Sequence, residues 1–316
     1  MNDVARVFAL TSPLFALVLV GYALSRFGGW PRAASDALTR FVFGVAIPAL
    51  LFRLMSGFAK LPHVDLALLA AYFGGALAVY AVARVAARTL FAMDGAAQSV
   101  LGVGAIFSNN VLLGVPIAQA TLPAEAMPAV SLVLVFNSLI LWTLVTVSVE
   151  WARHRDLSLA GFGATARRVA LNPVIAGILA GTAFGYTGLG LPHVVDATLA
   201  LIASAAVPLS LVALGMGLAE FGLRAGLAPS VVIAALKLVA FPAVVYAIAR
   251  SCGLATPETT AVVLLAALPT GASVYLMARQ FGTLEGAIAS TLVLSTALAA
   301  VTTPLTLAVL AALAHG

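Results

Sequence analysis

Stretches of about 20 apolar residues recur from Phe8 to Leu313, with only short polar breaks between them. At roughly 1.5 Å per residue, such a stretch crosses the roughly 30 Å hydrocarbon core of a bilayer as an α-helix. This pattern limits the fold severely, because within lipid every backbone N–H and C=O must be bonded inside the protein. The other spanning solution, a β-barrel, needs period-two alternation over roughly ten-residue segments, and the sequence has none. Composition agrees. The chain is 63% hydrophobic and 9% charged, where a soluble domain carries about a quarter charged residues. The expected fold class is an all-α polytopic membrane protein.

Ten spans are expected, beginning near Phe8, Leu38, Leu66, Gln98, Met127, Val169, Val194, Leu227, Thr259 and Ala287. The longest polar connection, "WARHRDLSLAGFGATARR", falls near the midpoint. A gapless shift of 160 residues superimposes Pro13 on Pro173, Gly21 on Gly181, Asp36 on Asp196, Pro48 on Pro208, Gly57 on Gly217 and Glu125 on Glu285. Matches of Pro, Gly and Asp at one offset carry weight where matches of Leu or Ala would not. The organisation expected is a first five-helix repeat over 1–152, a linker over 153–168 and a second five-helix repeat over 169–316. Five spans per half turn the second repeat upside down relative to the first.

Charge sets the orientation. Eleven arginines fall on the side that holds the mid-chain loop, against Arg6, Lys60 and Arg250 on the other, while Arg53 and Lys237 lie within spans. That bias places the central loop in the cytoplasm and both termini outside. It also accounts for a pI near 9.8 without nucleic acid. The N-terminus runs straight into a full-length span, so no cleaved signal peptide is expected. A single cysteine, Cys252, and four scattered histidines offer no disulfide and no metal set.

Two spans are interrupted where lipid tolerates interruption least. The fourth reads "FSNNVLLGVP", with Ser108, Asn109 and Asn110 ahead of Gly114 and Pro116. Its partner under the 160-residue shift, the ninth, reads "LLAALPTGASVYL", with Pro269, Thr270 and Gly271. Proline removes a donor and clashes with the preceding turn, and glycine relaxes the backbone, so both sites are built to unwind. Unwound backbone at that depth survives only against protein or a cavity. Each break creates a helix start near the midplane, with Ser108, Asn109 and Asn110 placed to cap one and Thr270 beside the other. Amide donors and the positive dipole end there favour an anion. One such break would be as well explained by a packing kink; a matched pair in inverted repeats points to a transporter's substrate site.

"SNNVLLGVPI" and "ALPTGASVYLMARQFG" together resemble the paired crossover motifs of the auxin efflux carrier family, which includes plant PIN-type carriers and bacterial organic-acid permeases. The resemblance covers nearly the whole chain. It implies a fold similar to bile acid:sodium symporters and sodium/proton antiporters, with a scaffold domain and a crossover transport domain working by alternating access. It also implies that Asn109 and Pro269 are the crossover positions, surrounded by Ser108, Asn110, Gly114, Pro116, Thr270 and Gly271. The long central loop of the plant carriers is missing here, which makes auxin a poor guess. Bacterial members suggest malonate, malate or similar carboxylates.

Other polar residues are open to two readings. Asn137, in the fifth span, either reaches the cavity or bonds a neighbouring helix. Gly177, Gly181 and Gly185 form a close-packing face, Pro48 and Pro208 bend the second and seventh spans, and Asp36 and Asp196 are placed to cap helices. Lys237 lies about ten residues into the eighth span, roughly 15 Å deep, where a lysine costs about 2.5–3.5 kcal/mol. It either offsets the carbonyl ends of the broken helices or serves as counter-charge to a bound anion. All eleven acidic residues lie at span ends or in loops, so proton exchange through buried carboxylates is not expected. No nucleophile–base pair or metal cluster lies in the spans, which argues against an enzyme. A receptor using the same cavity is the other alternative, against which the paired broken helices in inverted repeats favour alternating access. The expected partners are a small carboxylate and the lipid bilayer of an inner membrane. No cofactor and no nucleic acid is expected, and a homodimer is left open.

Overall fold

The structure is a computed structural model that describes residues 3–57, 65–154, 167, 171, 173–221 and 226–315. Most of the central linker, together with Lys60, His63, Arg155, Asp156, Arg168, Val169 and Arg224, lies outside the described residues.

The described chain is helical. Six stretches are long and apolar enough to cross a membrane: Arg32–Arg53, Leu66–Phe91, Ala124–Arg153, His193–Gly217, Leu227–Ser251 and Glu285–Leu313. In chain order the helices are α1 (Asp3–Arg26), α2 (Arg32–Phe41), α3 (Ile47–Ser56), α4 (Leu66–Phe91), α5 (Gly95–Gly104), α6 (Val115–Thr121) and α7 (Met127–His154). Then follow α8 (Pro173–Tyr186), α9 (His193–Ser204), α10 (Ala206–Phe221), α11 (Leu227–Ala235), α12 (Phe241–Ser251), α13 (Thr256–Ala267), α14 (Ser273–Phe281) and α15 (Glu285–His315).

Several starts are written locally. Asp65 Oδ1 accepts from the Ala67 and Leu68 amides at 2.8 and 3.1 Å, and Asp94 Oδ1 accepts from Ala97 at 2.8 Å, so these aspartates cap α4 and α5. Asp36 and Asp196, expected as caps, do not cap. Each lies inside the first turns of its helix and reaches across to an arginine instead: Asp36 to Arg279, Asp196 to Arg53 at 2.6 Å. The second span begins at Arg32 rather than near Leu38, because Gly28–Pro31 forms the turn and Pro31 occupies the N-cap position.

Three five-residue π turns interrupt the helices, at Val42–Ala46, Asn110–Gly114 and Leu236–Ala240. Each is followed two positions on by a proline: Pro48, Pro116 and Pro242. A proline has no N–H and its ring crowds the carbonyl four residues back, and one extra residue in the preceding turn relieves both. Pro208 bends the chain differently, following a break at Ala205 between α9 and α10.

The helices gather into two bundles that cut across the sequence halves. One holds α1–α3 with α8–α10; the other holds α4–α7 with α11–α15. Glycines set the closest approaches in the first. A Cβ added at Gly177 or Gly181 of α8 would sit 2.7 or 2.5 Å from the Pro48 or Phe52 carbonyl oxygen of α3. At Gly21 of α1 and Gly215 of α10 the distances to Val212 and Val18 oxygens are 2.0 and 1.9 Å. The backbones touch, the arrangement small residues permit in lipid.

Candidate functional site

The two interrupted helices cross at their breaks. Ser108 and Thr270 form an antiparallel bridge, in which the Asn109 amide donates to Pro269 O at 2.9 Å and the Gly271 amide donates to Phe107 O at 2.8 Å. The chain thus satisfies at the centre of the molecule the backbone groups that unwinding exposed. α5 and α13 run into the crossing from one side of their breaks. The Asn110–Gly114 turn with α6, and α14, lead out of it.

Both incoming helices end in carbonyls, and side chains meet them. Thr270 Oγ1 donates to Gly104 O at the end of α5, at 3.0 Å. Lys237 is fully buried, and its Nζ donates to Ala266 O at the end of α13, at 2.5 Å, and lies 4.9 Å from the Phe241 ring centroid. Thr303 Oγ1 donates to the next carbonyl, Ala267 O, at 3.3 Å.

On the outgoing side lies a cavity of about 70 Å³ between the two bundles. The crossing supplies Ser108, Asn109, Asn110 and Gly271, and α7 supplies Asn137 and Trp142. The first bundle closes it with Ile47, Leu50 and Leu51 of α3 and Ala206, Val207 and Ser210 of α10. The volume is enough for a few waters. Among the described residues no charged side chain lines it. Positive potential comes instead from the start of α14, where the Ala272 and Ser273 amides lie at the wall and cannot be bonded within the helix.

Two buried amides face this space with unused bonding capacity. Asn137 is 4% exposed and its Oδ1 has no partner. Asn110 is 3% exposed; its Nδ2 donates to the Tyr72 hydroxyl at 3.4 Å, while its Oδ1 has none. Tyr72 in turn donates to Ser108 Oγ at 3.5 Å. Buried polar groups are seldom left unpaired, which sets these two oxygens apart on the cavity wall.

The structure therefore brings together Ser108, Asn109, Asn110, Asn137 and Gly271. It turns Pro269 and Thr270 away, into the crossing and onto the α5 carbonyl end. Asn109 starts its helix through its carbonyl, which accepts from the Leu113 and Gly114 amides at 3.2 Å, and not through a side-chain cap. A Cβ added at Gly114 would sit 2.9 Å from the side chains of Leu265 and Leu268, so the broken helices approach closely there. Pro116 lies in the first turn of α6. Sequence reasoning missed Ser210, Ser273, Tyr72, Ser295 and Thr303. Ser210 follows Pro208 by two residues, the one hint available. Ser295, whose Oγ accepts from the Thr270 amide at 3.3 Å, carries no local signal.

Crossed, broken helices inside an apolar helical chain define the class: an integral membrane protein with a polar cavity beside the crossing. A sequence model of the family described as "Membrane transport protein" matches residues 7–307. The chain belongs to this family, that of the auxin efflux carriers, and is a transport protein rather than an enzyme. A protein of Rhizobium meliloti (strain 1021) described as "Putative malonate transporter" is 27% identical over 303 residues, which cover 94% of each chain.

Proposed function

We propose that this chain is a secondary carrier that moves small carboxylates, malonate among them, by alternating access at the cavity beside the helix crossing. The observation that carries the reading is the cavity itself. It lies between two bundles and is walled by the start of α14 and by two buried amides with spare bonding capacity, with no charged side chain among the described residues of its lining. A helix start contributes about 0.3–1 kcal/mol toward an anion at exposed sites and up to about 2 kcal/mol when partly buried. Amide donors add orientation. A site without fixed cations binds a carboxylate weakly enough to release it, which a carrier requires.

In this reading the chain has ten spans in two inverted repeats. The matched approaches of α1 to α10 and of α8 to α3 support it, since the 160-residue shift relates one pair to the other. The first bundle is the scaffold and the second, carrying the crossing, moves against it. Both termini are outside the inner membrane, and transport is facilitated or driven by the membrane potential rather than by sodium.

Purified protein in proteoliposomes tests this directly. Uptake of radiolabelled malonate, malate and related carboxylates is measured with and without ion gradients. Transport of a carboxylate that persists without sodium is expected. Carriage of neutral or cationic solutes with no carboxylate from a broad panel would remove the proposal.

A further inference from the structure

A second, larger cavity of about 1320 Å³ opens at the end of the second bundle, where α4 and α7 finish and α5 begins. Its walls carry three guanidinium groups: Arg84 and Arg88 from α4 and Arg153 from α7. Arg84 stacks over the Tyr80 ring at 5.7 Å and Arg153 over the Phe281 ring at 5.8 Å. Arg153 also donates to the Phe281 carbonyl. None of the three is held by a carboxylate among the described residues. The acid on the wall, Asp94, already uses Oδ1 to cap α5. Among the described residues its lining carries more positive than negative charge.

The wall is also apolar in one place. Val147 and Trp151, one turn apart on α7, are each 40% exposed and line the same cavity. They sit in the last turns of a helix of 28 residues, and Arg84 and Arg88 sit in the last turns of one of 26. Both helices are long enough to cross a bilayer, so their shared end lies at its surface, where tryptophan and arginine collect. A soluble dicarboxylate or free phosphate gains nothing from Val147 and Trp151. A phospholipid gains on both counts, with its phosphate among the arginines and its glycerol and upper chain against the apolar wall. We propose that this cavity holds the head group of an anionic phospholipid, separately from the carrier site and whatever that site transports.

Native mass spectrometry of the detergent-purified full chain, offered phosphatidylglycerol or phosphatidylcholine, reads the site. Phosphatidylglycerol is expected to be retained in preference. Arg88→Gln, an exposed change that leaves the packing alone, should weaken retention about fivefold, and Arg84→Gln with Arg88→Gln about twenty-five-fold, as each basic group near a membrane surface contributes. Arg250→Gln, which does not line this cavity, should leave retention unchanged. Should the double variant fail to fold, Arg88→Gln alone decides. Equal retention of both lipids, full retention in Arg88→Gln, or displacement of the lipid by millimolar malonate or inorganic phosphate would overturn the assignment. Displacement would make the cavity a vestibule for soluble anions instead.

Discussion

Lys237 faces the sharpest physical conflict in the chain. A fully buried ammonium has lost its water, and the compensation in view is one short bond to Ala266 O and the face of Phe241. The recipient carbonyl is one that the break at Leu268–Gly271 deprived of its helical donor, so lysine and break satisfy each other. Lys237→Met leaves that carbonyl unpaired, a cost of about 1–3 kcal/mol partly offset by no longer burying a charge. The expected outcome is a melting temperature in detergent lowered by a few degrees without substrate, with affinity largely kept. Normal melting with lost carboxylate binding would make Lys237 a substrate ligand. Asn110→Ala and Asn137→Ala test the cavity wall. Each should fold and bind carboxylate about two- to tenfold more weakly, the worth of a hydrogen bond of about 0.5–1.5 kcal/mol. Unchanged dissociation constants in both variants, measured by calorimetry, would return these amides to a packing role.

At the level of elements, the first bundle is governed by backbone contact and the second by the crossing. The glycine contacts make an unequal prediction for one chemical change. Gly215→Ala places a methyl 1.9 Å from the Val18 oxygen, so α1 and α10 must part, at a cost of about 1–3 kcal/mol as for other overpacked sites. Gly44→Ala, in the π turn before Pro48, meets nothing within 4 Å and should be neutral or slightly stabilising. Thermal unfolding of the two variants side by side checks this; equal losses would mean that the close approach of α1 and α10 is not what holds them.

At the scale of the whole molecule, an ion pair among the described residues spans the bundles: Arg279 of α14, its side chain 5% exposed, to Asp36 of α2, with Glu285 of α15 at 3.4 Å. Under the 160-residue shift Asp36 corresponds to Asp196, yet Asp196 bonds Arg53 within the first bundle. The tie between bundles therefore exists at one end of the molecule and lacks a counterpart built from the same positions at the other. Asp36→Asn removes it while leaving Arg279 its Glu285 partner, so the fold should persist. If the second bundle moves against the first, this change should raise thiol-reagent access to a Ser210→Cys probe in a Cys252→Ser background. An unaltered labelling rate would show that the pair does not hold the bundles together.

Much of this was legible from residue order. Helix starts at Leu66, Met127 and Leu227 fall where the apolar pattern begins, because a span's length is set by lipid thickness and its ends by polar residues. The breaks at Ser108–Asn110 and Pro269–Gly271 were equally plain, since proline and paired asparagines violate the local rule for a lipid-spanning helix. Direction was not legible. Whether Asn137 or Thr270 meets the cavity depends on how a helix is rotated about its axis, and in a segment apolar on every side no hydrophobic face fixes that rotation. Tertiary packing decides it instead, with Asn137 on the cavity wall and Thr270 bonded to the Gly104 carbonyl. The carbonyl that Lys237 answers, and the arginines that Asp36 and Asp196 answer, lie 29, 243 and 143 residues away. Pairing over such separations is decided by tertiary contact alone, because local sequence carries the demand for a partner but not its address.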